Sequence, residues 1–113
     1  MGNYLSGSSY SSNDYELVIT CAKELEHLLE LEFGATGKGL HEKISSVSSQ
    51  LPKGLVRRMR FLATVRNRLV HEYGFNSIPN RPAFTAAFEE SKEDLRKVFA
   101  SRRGSDPSSC VVS

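Results

Sequence analysis

Residues 54–73, GLVRRMRFLATVRNRLVHEY, set the reading of the whole chain. Leu55, Met59, Leu62 and Leu69 recur at helical spacing, with Phe61 and Val65 beside them. Side chains three and four positions apart share one face, so this row predicts an amphipathic helix over about 54–73. Gly74 is a natural stop for it, and Pro52 and Gly54 close the segment before it.

The same period appears on both sides. Leu40, Ile44, Val47 and Leu51 mark a second, shorter helix. Before it, Leu17, Cys21, Leu25, Leu28 and Leu29 predict a helix over about 14–33, with Asn13 and Glu16 placed as a capping box. Toward the C-terminus, Asn80-Arg81-Pro82 reads as a cap and first turn. Phe84, Phe88, Leu95, Val98 and Phe99 continue that helix to about 101. Gly34-Ala35-Thr36-Gly37-Lys38-Gly39 lacks the glycine spacing, the Ser or Thr after Lys and the preceding strand of a phosphate-binding loop. It reads as a helix-ending turn.

Strand signals are weak throughout. Four amphipathic helices with short links predict an all-α fold, an antiparallel four-helix bundle over 13–101. The polar segments 1–12 and 102–113 read as flexible tails. With 113 residues the chain suits a single domain. A bundle of this size buries a modest core, and pairing with a second copy would help stabilise it.

The net charge of +2 is too small to demand a polyanionic partner by itself. The distribution of charge says more. Arg57, Arg58, Arg60, Arg66 and Arg68 crowd one helix, while most acids lie in the first and last helical stretches. Two cysteines and three scattered histidines match no zinc spacing, so neither metal nor cofactor is expected. Cys21 falls on an apolar stripe and Cys110 lies near the C-terminus, which argues against a disulfide and for a reducing, cytoplasmic setting. No apolar run is long enough to span a bilayer, and no signal-peptide core is visible. His27 and His41 have no sequence partner and read as structural or surface residues.

Within the third helix, Arg66 is followed by Asn67 and, five positions on, by His71; Tyr73 comes two later. A guanidinium grips a phosphate with paired hydrogen bonds at any physiological pH, and an imidazole moves protons near neutrality. Alone, such residues on a helix are ordinarily a solvated charge and a hydrogen-bonded ring. Their spacing in the late helix of a small bundle resembles the HEPN superfamily, and His71-Glu72-Tyr73 resembles the variant found in prokaryotic HEPN toxins.

That resemblance implies a metal-independent endoribonuclease, in defence or stress, working as a homodimer whose two Arg/His pairs line one cleft. Arg66 would bind the scissile phosphate and stabilise transition-state charge. His71 would act as general base or acid for attack by the ribose 2′-hydroxyl, giving cyclic-phosphate ends. Asn67 would orient His71 or the substrate. Tyr73 would contact RNA and, as in some toxin relatives, serve a regulatory partner enzyme. Arg57, Arg58, Arg60 and Arg68 would supply an RNA-binding rim, or form an ordinary solvated face.

A different reading makes the chain a non-catalytic dimerisation, RNA- or nucleotide-binding adaptor tethered at a membrane. The tails carry its motivation. Met1-Gly2-Asn3-Tyr4-Leu5-Ser6 fits N-myristoylation at Gly2, and Cys110-Val111-Val112-Ser113 fits a farnesylation box at Cys110. Two lipids anchor stably where one does not, so the expectation is a lipoprotein held peripherally on the membrane surface. Arg102 and Arg103 would add attraction to anionic lipid.

Overall fold

Asn13 opens the first helix as a side-chain cap. Its Oδ1 accepts from the backbone N–H of Glu16 at 2.9 Å, satisfying a first-turn donor. The computed structural model describes residues 10–104, with side chains to Arg102. Helix α1 spans Asp14–Phe33 and ends at Gly34, whose φ of 72° only glycine adopts freely. There the N–H of Gly34 donates to the Glu30 carbonyl and that of Ala35 to the Leu29 carbonyl, closing the last turn.

The glycine-rich segment that follows is a tightly bonded turn. Lys38 N–H donates to Glu42 Oε1 at 3.0 Å, and Thr36 N–H to Ser46 Oγ at 3.0 Å. Gly37 has φ 125°, and a Cβ there would sit 2.5 Å from that of Glu42, so no other residue fits. Helix α2 spans Leu40–Val47 and runs into a 3-10 turn at Ser48–Gln50. Lys43 is buried on α2, where its Nζ donates to the Gly37 carbonyl at 2.8 Å and lies 3.2 Å from Glu30 and 3.6 Å from Glu26. A buried ammonium is tolerated only when paired in this way, and the pairs join α2 to α1.

Helix α3 spans Lys53–His71, and α4 spans Arg81–Gly104. Asn80 caps α4 through the N–H of Ala83 at 3.0 Å. The structure is thus all-α, four helices with no strand among the described residues. Asp14 pairs with Arg81, Glu24 with Lys92 at 3.1 Å, and Phe33 meets Phe99 edge-on at 6.3 Å. These contacts advance together along both chains, so α1 and α4 run in the same direction. Arg58 pairs with Asp94 and Phe61 packs on Phe84, which sets α3 antiparallel to α4.

Two helix ends differ from the periodicity. α3 stops at His71 because Glu72 leaves the helix at ψ 116° and Gly74 turns the chain at φ 92°. Arg68 holds this exit, donating to both Glu72 carboxylate oxygens at 3.1 Å and lying 4.0 Å from the Phe75 ring centre. α4 runs past 101 to Gly104. Arg102 supports the extension, donating to Gln50 at 2.7 Å with its guanidinium 5.2 Å from the Phe33 ring.

The core joins Leu17, Val18, Leu25 and Leu29 of α1 to Ile44 and Val47 of α2, Leu55, Met59 and Leu62 of α3, and Phe84, Phe88 and Leu95 of α4. Cys21 is part of it, and burial pushes its thiol up to about 12, leaving it protonated and inert at neutral pH. At the N-terminal edge, Tyr10 packs edge-on against Phe88 and bonds Glu89, and Arg81 reaches the Ser11 carbonyl. The segments 1–9 and 105–113, with Gly2 and Cys110, lie outside the described residues. No described helix is long and apolar enough to cross a membrane.

Candidate functional site

Arg66 stands in an unusual place in its helix. Leu55, Met59, Leu62 and Leu69 form a row at alternating four- and three-residue steps, and position 66 continues that row. The other four are buried and apolar, yet position 66 carries a permanent cation, which emerges half-buried. Charge in a core register is disfavoured unless something else is gained, and such local conflicts concentrate at functional sites.

The guanidinium does not stay beneath its own backbone. Arg66 Nη1 donates to Asn67 Oδ1 at 3.1 Å. At ~100° per residue, Arg66 and His71 sit about 140° apart, whereas Asn67 and His71 sit only about 40° apart. The hydrogen bond therefore turns the Arg66 head toward the face that carries His71. His71 is the last residue of α3 and is exposed, and its side chain makes no hydrogen bond or ion pair with any described residue. Tyr73, just past the helix, is fully exposed. The α3 C-terminus brings Asn67, His71 and the redirected Arg66 head to one end of the bundle, open to water.

The expected arginine rim divides in two. Arg58 is neutralised by Asp94 at 2.7 Å and Glu90 at 3.5 Å, and Arg68 by Glu72. Arg57 and Arg60 have no carboxylate partner among the described residues. Arg60 Nη2 instead donates to Ser45 Oγ at 2.8 Å, and Nη1 to the His41 carbonyl at 3.4 Å while lying 3.3 Å from His41 Nδ1.

His41, which has no partner along its own helix, finds one across the bundle. Its ring sits between Arg60 and Thr64 Oγ1, which lies 3.4 Å from Nε2. Burial first, and the Arg60 charge second, hold its pKa below the ordinary value of 6.5. Only the neutral ring can accept from Arg60 at Nδ1, and it then carries its proton on the nitrogen facing Thr64. No single-helix signal pointed to this pair, because its members come from different helices 19 positions apart.

The depressed pKa has a definite consequence for stability. The unfolded chain takes up the His41 proton at higher pH than the folded chain does. The contribution is therefore complete above the ordinary value and is lost as pH falls through the folded value. Thermal melting from about pH 7.5 down to pH 5 should show a larger loss of melting temperature for wild type than for His41→Gln. Identical slopes in the two proteins would refute the assignment.

Among the described residues no group of three or more His, Cys, Asp or Glu could hold a metal ion. No protein-family model, curated protein or solved structure matches the chain.

Proposed function

We propose that this protein is a HEPN-like endoribonuclease that cleaves single-stranded RNA through Arg66 and His71, with two copies meeting at the α3 C-termini. The observation that carries the reading is the cation in a core register whose head is led by Asn67 to the open His71 face. A purely structural histidine would have an intramolecular partner, and a purely solvated arginine would occupy the outer face.

Arg66 would offer paired donors to a phosphodiester and stabilise the charge that builds in its transition state. His71 would take the proton of the 2′-hydroxyl as that oxygen attacks phosphorus, and a protonated His71, in the same or the partner copy, would give a proton to the departing 5′-oxygen. Asn67 would fix the Arg66 head through Oδ1. The test is incubation of the purified protein with single-stranded RNA in the presence of a chelator. Products should carry 2′,3′-cyclic phosphate and 5′-hydroxyl ends, and intact RNA would count against the proposal.

The sequence motifs at Gly2 and Cys110 support a separate proposal of membrane attachment by myristoyl and farnesyl groups. Mass spectrometry of the protein made in eukaryotic cells should show both additions. An unmodified Cys110 would remove the prenyl half.

A further inference from the structure

Arg57 lines an open cleft of about 440 Å³ with Ser48, Ser49, Lys53, Val56 and Arg60, at the end of α3 opposite His71. No carboxylate lines it. Lys53 and Arg57 are exposed and have no ion-pair partner among the described residues. Below them the α3 N-terminus has no side-chain cap and no acid in its first turn, so no carboxylate there offsets the positive charge. Ser49 is exposed, and Ser48 donates its proton to the Ser45 carbonyl, leaving its lone pairs and the neighbouring hydroxyl at the rim.

The cleft continues into a line. At ~100° per residue, Lys53, Arg57, Arg60, Thr64, Asn67 and His71 fall within an arc of about 80° on α3. Every member is cationic, polar or titratable, and none is an acid. With a rise of ~1.5 Å per residue, the strip is about 27 Å long from Lys53 to His71. The nearest acid on α2, Glu42, is occupied by the Lys38 N–H at 3.0 Å.

We propose that the Ser48–Arg60 cleft is a second phosphate-binding subsite, which holds the backbone of single-stranded RNA about 20 Å from His71. It rests on the nuclease reading above and extends it to the substrate's length. A strip one helix face wide, ending on the acid–base residue, fits a strand rather than a plane of lipid headgroups. Lys53 and Arg57 meet phosphates directly. Arg60, tethered by His41 and Ser45, borders the cleft with a fixed guanidinium.

The test is fluorescence anisotropy of the full chain with labelled 2′-O-methyl oligouridylate, which spans the strip and cannot be cleaved. For the Lys53→Gln/Arg57→Gln protein, affinity at low salt should fall roughly tenfold. The slope of log affinity against log salt should flatten by about 1.4, or ~0.7 for each phosphate that no longer meets a cation. Lys53→Arg/Arg57→Lys should keep both values near wild type, and an unaltered circular dichroism spectrum should accompany each variant. Affinity and slope unchanged in the glutamine protein would overturn the subsite. If wild type still cleaved RNA, the nuclease reading would survive that result, whereas a wild type that neither bound nor cut RNA would end both. Loss of binding to phosphatidylserine vesicles, with RNA binding intact, would overturn the subsite in favour of an anionic lipid surface.

Discussion

His71→Ala should lower the rate of RNA cleavage by about 100- to 10,000-fold, the range removed with a positioned acid–base group. The fold should be almost untouched. The ring is exposed at the last position of α3 and bonds to no described residue, so truncation opens no cavity and strands no buried donor. Helix content and melting temperature should therefore match wild type within error. This pairing of a large kinetic loss with a silent structural readout separates chemistry from scaffolding. Cleavage undiminished in His71→Ala would end the proposed role. A substantial drop in melting temperature, with cleavage falling only in proportion to the folded fraction, would favour the adaptor reading.

Phe84→Ala should produce the largest stability loss, about 3–5 kcal/mol. Phe84 is 1% exposed, lies in the first turns of α4 and packs against Phe61 with ring centres 6.4 Å apart. Removing the ring deletes its transfer free energy and leaves a cavity between α3 and α4 that rigid helices cannot collapse to fill. A small domain has only about 5–15 kcal/mol in total. The melting temperature should fall by roughly 20 °C, and the urea midpoint should drop with little change in slope. A loss below about 1 kcal/mol would mean that the α3–α4 seam is not packed as described.

Local patterns gave most helix positions directly. Asn13 and Asn80 cap because a short side-chain oxygen reaches a first-turn N–H whatever lies across the bundle. Gly34 ends α1 because it alone tolerates the left-handed turn. The Arg66–Asn67–His71 spacing was likewise visible, as was the angular gap between Arg66 and His71. The Nη1–Oδ1 bond that narrows the gap was not, since an arginine head can take many rotamers. Nor did periodicity place the end of α3, which depends on Arg68 bridging Glu72 and Phe75 beyond the helix.

The amino-acid order alone determined that the chain is helical, where its caps and apolar stripes fall, and that an arginine, an asparagine and a histidine share the late third helix. Those are consequences of interactions reaching three or four residues along one backbone. Tertiary packing decided which charges remain available. Arg58 is consumed by Asp94 36 positions away and Arg81 by Asp14 67 positions away, Arg60 is claimed by His41, and Arg57 and Lys53 are left unpaired over a cleft. The relative rotation and stagger of two helices set such pairings. Those quantities come from the fit of whole apolar faces, which no periodicity within a single helix encodes.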